Sequence, residues 1–446
     1  MNKLSRSQFW QVSIMLFGLF FGAGNLIFPP LLGNQAGNQT LLALLAFSVT
    51  AVVFPVVGAI VVGKTDGLTN LANRVGPLFS LVFTTAIYLS IGPGLGIPRA
   101  GSVPFEMAIA PYLGQQVNVS LARFLYTLVF FGVALWICLK PNELVRRVGK
   151  YLTPTLLGLI FLMFIKIVFL PSQVSAPVGD YADNAVIKGF LSGYDTMDAV
   201  AALNFGFVVA LAIQRFGIKD KKDVTRYTVK AGLLAGAVLF AVYACLSYIG
   251  ALSSARIPGA ENGAVVLTDS IRLALGNFGV VLLAMIFTLA CLTTCVGLIT
   301  SGGEYFYKLF NEKLSYKTWV YIWTLFSFLI ANFGLNKLLA FSVPVLTVIY
   351  PVALVLIVMG ISHDRLNYSK LTYQVAAFIS VVLPFIDMLY HTFNLRLPLL
   401  TQLGASMPLA NKGLSWLVPT LLAVMLVTLV QKLLAVFNHV PAVEEL

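Results

Sequence analysis

"FGLFFGAGNLIFPP", residues 17–30, lies inside the first long apolar stretch of the chain. Glycine is the poorest ordinary helix former, and an asparagine amide without a partner in hydrocarbon is costly. A helix that only had to cross a bilayer would carry Leu or Ile in place of Gly22, Gly24 and Asn25. Two readings stay open here. The small residues allow a neighbouring helix to pack closely, or the helix is interrupted for a purpose.

Composition decides the class. Of 446 residues, 59% are hydrophobic and only 10% are charged, with a mean hydropathy of +0.90. A soluble protein is about a quarter charged. Apolar runs of roughly twenty residues, long enough to cross roughly 30 Å of hydrocarbon, recur along the chain. About twelve helices are expected, at 9–32, 41–63, 77–98, 120–139, 148–170, 189–213, 227–252, 277–303, 318–334, 338–361, 371–390 and 412–434. The reading is an all-α polytopic membrane protein, 1–446 forming a single transmembrane domain. The longest expected non-helical stretches are 171–188, 253–276 and 391–411.

The basic residues give an orientation. With the first helix starting inside, most of them fall on the inner side. These are Lys3, Arg6, Lys64, Arg74, Lys140, Arg146, Arg147, Lys150, Arg215, Lys219, Lys221, Lys222, Arg226, Lys230, Lys308, Lys313, Lys317, Arg365, Lys370 and Lys432. Arg99, Arg123, Lys166, Lys188, Arg256, Arg272, Lys337, Arg396 and Lys412 fall on the outer side or near outer helix ends. Both termini are therefore expected in the cytoplasm. The net charge of +12 is this inward bias, reinforced by anionic lipid, and does not point to nucleic acid. The first apolar run is too long for a signal peptide and no small-residue cleavage site follows it.

Nothing reads as an enzyme. There is no P-loop, HExxH or GxSxG, and His363, His391 and His439 are far apart. Cys138, Cys245, Cys291 and Cys295 all fall within expected helices and read as packing residues. No cofactor and no obligatory protein partner are expected; the lipid bilayer is the expected surrounding.

A second interrupted helix opens with "GFLSGYDTMDAVAALNFGF", 189–207, which puts Asp195 and Asp198 in a membrane segment. Carboxylates at that depth are rare and functional by default. The bland alternative starts the helix later, with the aspartates as N-cap residues at the outer interface. Helices one to five (9–170) and six to ten (189–361) match in length, and each half opens with a Gly-interrupted polar helix. Five helices per half makes the second copy inverted. Paired broken helices are the best sequence pointer to a binding site between such repeats. The last two helices, 371–434, stand outside the repeat. A third element is "LACLTTCVGLITSGGEYF", 289–306, where Thr293 and Thr294 are adjacent hydroxyls with Ala290 one turn before. Threonines in membrane helices usually bond their own backbone, but hydroxyls and freed carbonyls also suit a small cation such as Na⁺.

"GAGNLIFPP", "IGPGLGIPRAGSVPFEM" (91–107), "GYDTMDAVAALNFG" (193–206) and "ACLTT" (290–294) together resemble the branched-chain amino acid:cation symporters, the BrnQ-type carriers, over nearly the whole chain. These belong to the amino acid–polyamine–organocation superfamily. The resemblance implies a LeuT-like 5+5 inverted repeat plus two C-terminal helices, in a bacterial cell membrane. It implies alternating-access import of Leu, Ile and Val with Na⁺ or H⁺. The competing readings are a same-fold symporter for another neutral amino acid or a nucleobase, and a channel or sensor.

That resemblance also implies that the first helix unwinds around Gly22–Asn25. Free carbonyls there face the cation and the ammonium group, and free N–H groups face the carboxylate. Close packing accounts for Gly18 and Gly22 but not for Asn25. Substrate contacts are expected from Phe21, Gly22, Ala23, Gly24 and Asn25; from Tyr194, Asp195, Thr196 and Met197; and from Tyr88, Gly92 and Leu298. The implied cation site joins the carbonyls of Gly18, Phe21 and Ala290 to the Thr293 and Thr294 hydroxyls. Asp198 is a candidate partner for a transported proton or the ammonium group. The chain is one residue shorter than the LeuT pattern between Asn25 and the first proline, so a second Na⁺ site at Asn25 is not implied.

Overall fold

Ser5 starts the first helix with a reciprocal cap: its hydroxyl accepts the Gln8 N–H at 3.2 Å, while Gln8 accepts the Ser5 N–H at 2.9 Å. The computed structural model describes residues 4–114, 116–140, 145–169, 173–393, 395 and 406–437. Lys3, Arg396, His439, the end of the 148–170 helix and most of 391–411 lie outside the described residues. The chain divides into two units, Met1–Leu68 with Ala86–Ser342, and Thr69–Thr85 with Val343–Leu446. Among the described residues every regular element is a helix.

The chain runs through α1 (Arg6–Phe20), α2 (Ala23–Ala36), α3 (Thr40–Ser48), α4 (Phe54–Lys64), α5 (Leu68–Asn73), α6 (Pro77–Leu89) and α7 (Gly96–Ala108). It continues as α8 (Val119–Cys138), α9 (Thr153–Val168), α10 (Asp180–Ser192), α11 (Asp198–Arg215), α12 (Lys221–Ser253), α13 (Gly263–Leu309) and α14 (Tyr316–Ala331). The second unit is mostly α15 (Leu335–Leu366), α16 (Lys370–Phe393) and α17 (Leu417–Phe437). Within it, Gln431 of α17 donates to Ser369 and accepts from Thr372, polar bonds that tie α17 to the start of α16. Among the described residues ten helical stretches are long and apolar enough to cross a membrane.

Glycines bring helix backbones into contact in the first unit. A Cβ on Gly33 would stand 1.8 Å from the Ser247 carbonyl oxygen, and one on Gly250 would stand 2.0 Å from that of Pro30. A Cβ on Gly263 would lie 1.8 Å from the Ile27 carbonyl oxygen. So α2, α12 and the start of α13 meet backbone on backbone, as small residues allow where lipid supplies no hydrophobic drive. Asn34 closes the same seam, donating to Ser253 at 3.0 Å and accepting the Ala260 N–H at 3.1 Å.

The helices differ from the expected boundaries in four places. The 77–98 helix is interrupted at a π turn, Ser90–Gly94, and restarts to run on to Ala108. Pro93 removes a donor there, and Gly92 takes a non-helical conformation (φ −83°, ψ −127°). The 171–188 connection carries the start of α10, because Asp180 and Asp183 in a first turn suit its dipole. Much of 253–276 is helical too: Asn262 caps α13 by accepting the Val265 N–H at 3.0 Å, and Gly276 (φ 58°) bends it. The first helix is interrupted at Phe21–Gly22, not across Gly22–Asn25; Asn25 is already inside α2.

Candidate substrate site

Two broken helices face each other in the first unit. At the end of α1 the Phe21 N–H still reaches the Phe17 carbonyl at 2.8 Å, but Phe21 (ψ 89°) and Gly22 (φ −116°, ψ −159°) leave the helix. The final turn of α1 thus ends in carbonyls without helical partners, and α2 begins with N–H groups in the same condition. Asn25 repairs one of them: its Oδ1 accepts the Gly22 N–H at 2.9 Å. The second break runs from Gly193 to Met197. There the Met197 N–H meets the Tyr194 carbonyl at 3.0 Å, the Thr196 hydroxyl donates to the Gly193 carbonyl at 2.9 Å, and Met197 is left-handed at φ 66°.

A buried polar knot joins the two breaks. The Asn25 amide donates to the Asp198 carboxylate and to the Tyr243 hydroxyl. Tyr243, on α12, in turn donates to the same Asp198 oxygen at 2.9 Å. All three side chains are buried. Asp198 is therefore an interior carboxylate at the first residue of α11, not an N-cap at a surface.

A cavity of about 50 Å³ opens beside this knot. Its lining takes Gly22, Ala23, Gly24 and Asn25 from the first break, Thr196, Met197 and Asp198 from the second, and Thr294 and Leu298 from α13. Gly24 allows the breaks to touch, since a Cβ there would stand 3.1 Å from the Thr196 Cα. Thr294 lies against Gly22, its hydroxyl 2.9 Å from where a Cβ would be. Among the described residues that hydroxyl has no hydrogen-bond partner. The Thr293 hydroxyl donates to the Ala290 carbonyl at 2.9 Å, leaving its lone pairs free.

Five expected contact residues sit behind the lining. The Phe21 ring stacks on Phe17 at 5.1 Å between centroids, with Tyr243 6.5 Å away. Tyr88 stacks on Tyr305 at 4.1 Å, and Gly92 is pressed against Trp323. Tyr194 packs on Phe190, and Asp195 presents its carbonyl toward Arg99 at 3.5 Å. Gly18, in α1 one turn before the break, backs onto Thr153 of α9, whose buried hydroxyl also lacks a partner among the described residues.

The sequence reading missed Phe20, Ile91, Gly96, Arg99, Ala100 and Ala201 of the lining. Arg99 is the important one, and corrects the assignment of that residue to an outer helix end. It sits in the first turn of α7, buried at 7% exposure, with its guanidinium over the Phe28 ring. Pro93, Gly94 and Gly96 were the available signal: they interrupt the helix and turn its restart toward the cavity.

The matched family model, Branched-chain amino acid transport protein, covers residues 5–434. The chain is 40% identical over 412 residues to the branched-chain amino acid permease BraB of Bacillus subtilis, covering 92% of each chain. It is 39% identical to the branched-chain amino acid transport system 2 carrier protein of Pseudomonas aeruginosa, over 97% of this chain and 98% of that one.

The chain belongs to the branched-chain amino acid transport protein family.

It is thus an integral membrane transporter, as its relatives are permeases and carriers rather than enzymes. Among solved structures it resembles the nucleobase-cation-symport-1 family transporter Mhp1 (TM-score 0.57, 12% identical, 96% of this chain and 92% of that one). It is equally similar in shape to MhsT solved with L-phenylalanine (TM-score 0.57, 17% identical, 95% and 98% covered). At such identities the likeness establishes the LeuT-like fold alone.

Proposed function

We propose that this transporter imports leucine, isoleucine and valine by alternating access, coupled to a cation entering down its gradient. The observation that carries the reading is the cavity between two broken helices, where backbone N–H groups and carbonyls without helical partners and a buried carboxylate surround a small space. A zwitterion needs both signs of partner, and the relatives are permeases and carriers of branched-chain amino acids. The apolar lining, Phe20, Ile91, Met197 and Leu298, offers contact without hydrogen bonds, as an aliphatic side chain requires.

Na⁺ is the proposed coupling ion. The Thr294 hydroxyl, buried and unpartnered among the described residues, lies beside the open end of α1, close to where the Gly18 and Phe21 carbonyls end the helix. With the Ala290 carbonyl and the Thr293 hydroxyl these supply a set of hard oxygens suited to that ion. Both termini are proposed to face the cytoplasm of a bacterial cell.

The test is uptake of labelled leucine into proteoliposomes with imposed gradients. Saturable uptake driven by a Na⁺ gradient, competed by Ile and Val far better than by Ala or Gly, is the expected result. Uptake driven only by a pH gradient would replace Na⁺ by H⁺. Ion flux without saturable leucine uptake would sink the transporter mechanism in favour of a channel.

A further inference from the structure

Three helices begin at the cavity wall. Its lining includes Ala23 and Gly24 at the start of α2, Gly96 at the start of α7, and Asp198 at the start of α11. Each helix start carries partial positive charge and N–H groups without helical partners. Arg99 projects from the first turn of α7 into the same lining, and adds a full positive charge. Its side chain is more than nine-tenths buried. Among the described residues its side chain makes one long hydrogen bond, to the Asp195 carbonyl at 3.5 Å, and its guanidinium stands 5.7 Å from the centroid of the Phe28 ring. Among the described residues it forms no ion pair. Asp198 lines the same cavity, but its carboxylate is occupied by Asn25 and Tyr243.

A buried guanidinium with spare donors is costly unless an anion meets it. Of the two carboxylates whose charge reaches it, Asp195 forms no ion pair with it among the described residues and Asp198 is engaged by Asn25 and Tyr243, while the three helix starts reinforce the need for negative charge. We infer that Arg99 binds the α-carboxylate of the transported amino acid, supplying a charged anchor that the backbone N–H groups alone would not. This rests on the amino acid reading above and names the group that recognises one end of the substrate. The planar fork of arginine fits a carboxylate through two parallel hydrogen bonds, which a lysine cannot reproduce. The ammonium end then falls toward Asp198 and the carbonyls that end α1.

Binding of labelled leucine to the purified protein, competed by leucine or by leucinamide, tests this. Leucinamide keeps the side chain and the ammonium group and lacks the carboxylate. In the wild-type protein leucinamide is expected to compete about 100-fold more weakly than leucine, the scale of a charge-assisted pair lost inside a protein. Arg99→Gln should weaken leucine by a similar factor and leave leucinamide nearly unchanged, so that the two converge. Arg99→Lys should fall between.

Leucine affinity in Arg99→Gln within about threefold of wild type, well short of a lost charge-assisted bond, would overturn the inference. An equal loss for leucine and leucinamide would do the same, by reducing Arg99 to a structural counter-charge. If Arg99→Gln does not fold, the wild-type comparison still decides, since equal competition by leucinamide removes any need for a carboxylate anchor. Failure of the wild-type protein to bind leucine at all is a separate result, and overturns the substrate reading together with this one.

Discussion

The two helix breaks solve the same problem by different means. The first, at Phe21–Gly22, is short and held from a distance: Asn25 caps the Gly22 N–H, while its amide group is fixed by Asp198 and Tyr243. The second, Gly193–Met197, is longer and held mainly by itself, through a 3₁₀ turn, the Thr196 hydroxyl and the left-handed Met197. A local turn forms as soon as its own residues adopt it, whereas the first break takes its shape only after α11 and α12 have packed. The first should therefore be the more sensitive of the two.

The largest expected effect is at the knot. Asn25→Leu removes the cap on Gly22 and two donors from buried groups, at about 1.5–3 kcal/mol for each hydrogen bond to a charged group. Leucine uptake should be abolished and the melting temperature in detergent should fall clearly. A stable, active variant would show that the first break holds itself as the second does.

Asp198→Asn is gentler on the fold, because an amide oxygen in place of Oδ2 can still accept from both Asn25 and Tyr243. It removes the charge, so leucine affinity should drop about tenfold, roughly 1.4 kcal/mol. If Asp198 instead carries a transported proton, the variant keeps leucine exchange and loses the pH dependence of uptake. Normal uptake at every pH would leave the residue with a purely structural role.

Gly24→Ala probes where the breaks touch. Its Cβ would press on the Thr196 backbone, and overpacking costs about 1–3 kcal/mol. Leucine affinity should fall by about fivefold to tenfold, toward the lower end of that range, with expression unchanged. Leucine at the same position would force the helices apart, so alanine is the more informative change.

Thr294→Ala removes one oxygen from the proposed cation site. The half-saturating Na⁺ concentration should rise several-fold, with Thr294→Ser restoring it, since the cation loses a ligand that water cannot readily replace in a buried site. An unchanged Na⁺ dependence would refute that assignment.

The smallest effect is expected at Thr196→Val, which keeps the shape and loses the hydroxyl's bond to the Gly193 carbonyl, at about 1 kcal/mol. A loss as large as that of Asn25→Leu would erase the contrast between the two breaks.

Much of this was legible in the sequence because bilayers are severe. Gly22, Gly24, Asn25, Asp195 and Asp198 are conspicuous against apolar neighbours, and the cost of burying them unpaired is what made them readable. The partners were not legible. Tyr243 lies far from Asn25 in sequence, and nothing local in "LFAVYACLS" marks its hydroxyl as a donor to Asp198. Arg99 was hidden for a different reason: a basic residue near an expected helix end reads as a surface charge until the restart at Gly96 is known. The polar start of α10 was read as a connection because its hydrophobicity is low, although its acidic first turn favours a helix.

The seam between α2, α12 and the start of α13 bears on how this protein tolerates change. Gly33, Gly250 and Gly263 each face a carbonyl oxygen of another helix closer than any side-chain atom can stand. In a saturation survey of substitutions, these positions should be as intolerant as the cavity residues, though they meet no substrate and carry no charge. Alanine, usually the mildest replacement, would be lethal there, while many of the lipid-exposed leucines of α17 would accept almost any apolar residue. A map of fitness alone would therefore mark two sites in this transporter, and only one of them is the proposed binding cavity.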